Sequence, residues 1–206
     1  MANVFTIYPS SPNLKLLKQA ASVLNDGGLM IYPTDTVYAL GCLSNHPKAL
    51  EKLADLKNIK LEQAQLSFLF DDLSELSNYV APMDSSTFKI LKKTLPGPYS
   101  FIMNAARKLP KPFQKRKTIG VRISNHPVLK HLLPLLDVPL ITSSLHDQDS
   151  ILDYTTDPEI IFDQWQDKVD LMIDSGFGGN IPSTVVDLSV SPFEIIREGK
   201  GNVNFL

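Results

Sequence analysis

The chain has 206 residues, 43% hydrophobic and 20% charged, with a net charge of −2, which is enough to bury one substantial core and shows no bias toward disorder. Its single cysteine, Cys42, has no internal disulfide partner. No basic segment followed by an apolar run opens the chain, and no apolar stretch reaches the roughly 20 residues that span a bilayer. A disulfide-stapled secreted scaffold and a membrane-spanning role are set aside, and a cytoplasmic address is the expectation.

Taken in chain order, Leu16, Leu17, Ala20, Ala21 and Leu24 predict a helix over Leu14 to Asn25 that Gly27-Gly28 stops. The apolar run Leu29-Met30-Ile31 then reads as a strand. It delivers the segment Tyr32-Pro33-Thr34-Asp35-Thr36-Val37-Tyr38-Ala39-Leu40-Gly41, in which small polar residues stand at a strand end, where binding groups tend to sit. The same residues could equally serve the local turn. A second helix starts at Asn45-His46-Pro47 and runs out near Lys57, with Leu50, Leu53, Ala54 and Leu56 on its buried face.

Leu66 to Phe70 is strand-like, and Asp84 or Ser85 caps a helix through Leu95 that Pro96-Gly97-Pro98 ends. Tyr99 to Met103 and Thr118 to Ile123 read as strands, His126-Pro127 opens a helix, and Val138 to Ser143 is a further strand. Asp157-Pro158 starts a helix with Ile160, Ile161 and Trp165 inward. Strands follow at Val169 to Ile173, Ser183 to Leu188 and Phe193 to Arg197. Helices and strands alternate at first, while the last three strands have only turns between them. The expectation is an α/β fold: one domain over 1–206, built on a twisted mixed parallel and antiparallel sheet flanked by helices.

The strong chemical motifs are missing. There is no Walker A loop, and Gly176-Phe177-Gly178-Gly179-Asn180 lacks the third glycine and following helix of a dinucleotide fingerprint, so it reads as a turn between two strands. The four histidines and Cys42 have no metal-ligand spacing, and no protein-held metal is expected. What recurs is a hydroxyl or basic group at the ends of apolar strands: Thr34 and Thr36, Arg122, Ser143 and Ser144, Ser183, and Arg197. Singly, each suits a structural role. Together, hydroxyl donors and guanidinium groups on one face could hold phosphates and carboxylates. From Arg107 to Arg122 the chain carries seven basic residues and no acidic one, which points to an anionic partner, phosphate or nucleic acid, with a solvated lysine-rich loop as the alternative.

The motifs together are similar to the YrdC-like family. They are Gly27-Gly28, the 32–41 segment, Leu56-Lys57, Pro96-Gly97-Pro98-Tyr99-Ser100-Phe101, Val121-Arg122-Ile123 with His126-Pro127, Ser143-Ser144, Ser183-Thr184-Val185-Val186-Asp187 and Arg197-Glu198-Gly199. They cover nearly the whole chain, with the motif-bearing core over about 8–200. The resemblance implies a twisted α/β fold with a concave basic surface and binding of double-stranded RNA or tRNA. It also implies an L-threonylcarbamoyladenylate synthase, a nucleotidyltransferase acting in tRNA modification, whose product a downstream threonylcarbamoyl transferase complex would use. Its partners would be L-threonine, bicarbonate and ATP, the last with magnesium held mainly by phosphate oxygens, and no tightly bound cofactor is implied.

Carried across, the resemblance puts Thr34, Thr36 and Ser183 on the substrate and Lys57, Ser144 and Arg197 on the nucleotide. Lys57 and Arg122 become the catalytic pair, and Lys108, Lys111, Lys115, Arg116 and Lys117 face RNA. The chain departs from the family's synthases at Ile59, where they carry arginine in Lys-x-Arg-Pro. It also departs in Leu66 to Phe70, which lacks their histidine, at His146, which replaces asparagine, and at Ala39, which replaces glycine. These exchanges place it nearest the YciO branch. Two functions stay open, the synthase and an RNA-binding module with weak or no synthase activity.

Overall fold

The computed structural model describes residues 1–61, 64, 66–145 and 156–204, and the His146 position lies outside them. The first half of the chain forms β1 (Asn3–Thr6), α1 (Leu14–Asn25), β2 (Met30–Tyr32), β3 (Ala39–Leu43), α2 (Pro47–Leu56), β4 (Ser67–Leu69), α3 (Leu73–Ser77), α4 (Ser85–Thr94) and β5 (Tyr99–Asn104). A 3-10 turn at Phe113–Lys115 precedes β6 (Thr118–Arg122), α5 (Pro127–Leu132), β7 (Leu140–Ser144), α6 (Pro158–Trp165), β8 (Leu171–Asp174), β9 (Thr184–Asp187) and β10 (Glu194–Arg197).

The helices begin where local chemistry says they should. The Asn13 side chain accepts from the Lys15 and Leu16 amides to cap α1, Asp84 caps α4 through Thr87, and Asp157 caps α6. Each cap satisfies amides that have no partner within the first turn. Pro47, Pro127 and Pro158 occupy first-turn positions where no amide is needed.

The described strands form one sheet in the order β1-β8-β2-β3-β7-β4-β6-β5-β9-β10. Pairing is parallel for β1/β8, β2/β8, β4/β6 and β5/β9 and antiparallel elsewhere, so the sheet is mixed. Side chains alternate between its faces. Phe68, Phe101, Val121, Ile141 and Val186 point to one face and build the larger core with α2, α4 and α6. Met30, Tyr32, Leu69 and Leu140 point to the other face, where α1 and α5 cover them. Those two helices cover the β8-β2-β3-β7 side and the Leu69 end of β4, which leaves the Ser67 end of β4 and the β6-β5-β9 side of this face open.

Three expectations change. β8 and β9 are not neighbours, because each pairs in parallel with a distant strand, and parallel pairing requires a crossover. The 175–183 segment is therefore a crossing, not a hairpin turn. Ile160 is exposed, because the inward face of α6 is set by Pro158 and Ile161, three residues apart. The strands β1 and β3 and the short α3 add to the elements read from the sequence.

Candidate functional site

The open half of the sheet is a polar trough because its outward-facing positions are small, hydroxylic or cationic. On β6 these positions are Thr118, Gly120 and Arg122, beside Ser67 of β4, Thr142 and Ser144 of β7, and Ser100 of β5. Gly120 has Ser67 against it, and a Cβ there would come within 2.6 Å of the Ser67 hydroxyl. The trough encloses a cavity of about 310 Å³, with Arg116, Arg122 and Arg197 in its wall and no carboxylate among the described residues lining it.

Arg122 is held from one side. Its Nη2 donates to Asp35 Oδ1 at 2.7 Å, Thr36 Oγ1 at 2.7 Å and Thr34 Oγ1 at 3.2 Å. Ser124 Oγ donates to the same Asp35 oxygen at 2.7 Å. Thr34 in turn spans its own turn, donating to the Val37 carbonyl at 2.6 Å and accepting from the Thr36 amide at 3.1 Å. Burial pushes the Asp35 carboxyl up, but the Arg122 charge and the Ser124 hydrogen bond outweigh it and hold the group below the usual carboxylate range. The Nε of Arg122 is buried without a partner among the described residues. Buried donors of a charged group are rarely left so, and a ligand anion would complete it.

The opposite wall is set by Arg197, whose Nε and Nη2 donate to the Ser183 carbonyl at 3.2 and 2.8 Å, while Ser183 and Ser100 share a hydroxyl contact of 3.0 Å. Burial first, and then the charge of Arg122, lower the pKa of Arg197, so two cations face one cavity. Lys57 caps the C-terminus of α2 and donates from Nζ to the Ser144 carbonyl at 3.1 Å. The 175–183 crossing closes the same end. A Cβ at Gly179 would strike the Thr36 carbonyl at 2.2 Å, and the Tyr38 hydroxyl donates to the Gly176 carbonyl at 2.8 Å. Burial pushes the Tyr38 hydroxyl up to about 12, so it stays a donor. Lys200 Nζ reaches the Asp35 carbonyl at 2.6 Å.

The structure thus brings Thr36, Arg122, Ser144, Ser183 and Arg197 to one cavity, with Lys57 one hydrogen bond behind Ser144 and Thr34 behind Arg122. The basic run does not form one patch. Arg122 is buried, and Arg116 turns inward to donate to the Leu61 and Ala64 carbonyls at 3.0 and 2.8 Å. Lys108, Lys111, Lys115 and Lys117 stay exposed. Asp35, Ser124, Ser100 and Lys200 were not singled out from the sequence. Asp35 lies inside the 32–41 segment, and its position between two threonines is the available signal. Ile59 packs on the larger core, where it supplies no charge to the cavity.

The fold and site define an α/β protein whose half-open sheet carries a cationic, hydroxyl-rich cavity. The Sua5/YciO/YrdC family profile, described as "Telomere recombination", matches residues 22–199, and the chain belongs to this family. It is 36% identical over 206 residues to YciO of Escherichia coli K12, described as uncharacterized, with 98% of each chain covered. The crystal structure of E. coli YciO superposes with a TM-score of 0.90 over 99% of this chain and 98% of that one. A threonylcarbamoyl-AMP synthase of Pseudoalteromonas translucida is 31% identical over 176 residues, covering 82% of this chain and 90% of that protein. The fold is also that of P. abyssi Sua5 complexed with L-threonine, at a TM-score of 0.84 and 22% identity, over 95% of this chain and 57% of that one. No helix among the described residues is long and apolar enough to cross a membrane.

Proposed function

We propose that the chain makes threonylcarbamoyl-AMP from L-threonine, bicarbonate and ATP, releasing pyrophosphate, and so serves tRNA modification. The observation that carries this reading is the cavity with three arginines, several hydroxyls and no lining carboxylate among the described residues, in which Arg122 is already fixed by Asp35, Thr34 and Thr36. The chemistry needs no protein nucleophile. Bicarbonate releases carbon dioxide and hydroxide, the threonine amine adds to the carbon dioxide and its proton joins the hydroxide as water, an oxygen of the resulting carbamate attacks the α-phosphorus, and the bond to the leaving pyrophosphate breaks. Rate then comes from positioning two anions and neutralising the charge that develops. Arg122 would hold the threonine carboxylate or carbamate beside Thr36, Ser144 and Lys57 would meet the phosphates, and Ser183 with Arg197 would close the far side. Magnesium arriving with ATP would be held mainly by phosphate oxygens.

The test is pyrophosphate release by purified protein given ATP, L-threonine and bicarbonate. Release is expected to require all three and to fall about 10-fold or more in Arg122→Ala, the effect of removing one charge-assisted hydrogen bond. Release that ignores threonine, or none at all, overturns the assignment. A second reading, RNA binding, is supported by Lys108, Lys111, Lys115 and Lys117. All four are exposed, and none makes an ion pair among the described residues.

A further inference from the structure

Arg116 lies at the end of the trough away from Arg122. Thr118 and Arg122 face the same way on β6 four residues apart, which is ~13 Å along a strand, and Arg116 precedes Thr118 by two more residues. One trough therefore has a cation at each end and a hydroxylic floor of Thr118, Ser67 and Thr142 between them. That layout fits an elongated anion better than a compact one.

The local bonding of Arg116 leaves most of its capacity unused. Only Nη2 is engaged, by the Leu61 and Ala64 carbonyls, and the guanidinium carbon sits 5.2 Å from the centroid of the Phe113 ring. Nε and Nη1 donate to nothing among the described residues, and no carboxylate among them pairs with the group. Two carbonyls could be bridged by a neutral donor. A half-buried full charge carries a desolvation cost that a structural tether does not require, and burial indeed lowers its pKa. The two carbonyls and the ring fix the guanidinium plane, so its remaining donors are preorganised at the cavity wall.

We propose that Arg116 is a phosphate-binding residue of the cavity, which takes the end of a nucleoside triphosphate chain farthest from the sugar and selects triphosphate over monophosphate. The proposal rests on the synthase reading only in placing a nucleotide in this trough. It names a contact that reading does not use.

Calorimetric titration of the full chain with ATP, AMP, inorganic tripolyphosphate and a short RNA duplex tests it, using wild type, Arg116→Gln and Arg116→Lys. Arg116→Gln keeps a neutral donor for the carbonyls, and Arg116→Lys keeps the charge without the planar five-donor fork. The expected result is that Arg116→Gln weakens ATP and tripolyphosphate about 10-fold or more while AMP changes less than about 2-fold, and that Arg116→Lys restores most of the ATP affinity. It is overturned by unchanged ATP affinity in Arg116→Gln, by equal losses for ATP and AMP, by equal losses in both variants, or by a wild type that binds no polyphosphate. Loss confined to a short RNA duplex also overturns it and would assign Arg116 to RNA instead. A wild type that shows the expected pattern but releases no pyrophosphate retains Arg116 as a phosphate contact and removes the synthase assignment alone.

Discussion

One nitrogen of Arg122 meets three oxygen acceptors, and the most buried charge in the site is balanced by a single carboxylate. Breaking a pair of this kind from one side leaves an uncompensated charge, a loss of about 3–5 kcal/mol in a dry core and less beside an open cavity. Asp35→Asn is therefore expected to destabilise the fold by up to about 3 kcal/mol at pH 7 in urea unfolding. Its pH dependence has a definite sign. The folded Asp35 value lies below the unfolded one near 3.9, so its contribution is fully present above about pH 4 and is lost as the pH falls through the folded value. The gap between wild type and Asp35→Asn should close at the acid end, and a gap constant down to about pH 2.5 would rule the ion pair out as its source. Ser44 is the reverse case, since its hydroxyl is fully buried with no partner among the described residues. Ser44→Ala removes an unsatisfied polar group and is expected to be neutral or to stabilise by up to about 1 kcal/mol in the same measurement.

The end of α2 shows how an element places a functional side chain. Lys57 caps the helix, Asn58 takes φ of +53°, the Asn58 amide returns to the Asp55 carbonyl, and the Ile59 amide returns to the Ala54 carbonyl. This is the Schellman arrangement, in which an apolar residue after the left-handed position packs back on the last turn, and Ile59 does so on the core. Ile59, where the resemblance leads one to expect arginine, thereby anchors the turn that presents Lys57. Asn58→Gly should stabilise by about 0.5–1 kcal/mol and Asn58→Ala should destabilise, both read as shifts in the unfolding midpoint, because only glycine adopts this backbone without strain. Apolar spacing and a glycine stop made the bounds of α1 legible in the sequence, a proline start those of α2, and a cap those of α4. β3 was not, because Ala39-Leu40-Gly41-Cys42-Leu43 is buried on both faces and so has no alternation to read. β1 was hidden for the opposite reason, a four-residue edge strand with mostly exposed side chains. α3 is only five residues long.

At the scale of the whole molecule, the site exists because helices cover most of one sheet face and a smaller part of the other. The strand order that produces this is set by crossovers, and those leave no local trace in a sequence. That is why Thr36, Arg122, Ser144, Ser183 and Arg197 were legible as strand-end residues, while Asp35 as the partner of Arg122 and the 175–183 crossing over Thr36 were not. The same topology divides the basic run. β6 carries Arg122 into the cavity and the 3-10 turn folds Arg116 toward it, and the four lysines are left at the surface. Their separation from the cavity gives the RNA reading its own test. Each phosphate that a lysine neutralises releases a counterion, so the logarithm of the binding constant falls with the logarithm of salt by close to one unit for every phosphate neutralised. Wild type should bind duplex RNA with a steep salt slope, and Lys115→Gln with Lys117→Gln should flatten it by about 1–2 while leaving threonine-dependent pyrophosphate release unchanged. A salt slope that these two changes leave intact would remove the lysines from RNA binding, and a drop in pyrophosphate release would mean that surface and cavity are not independent.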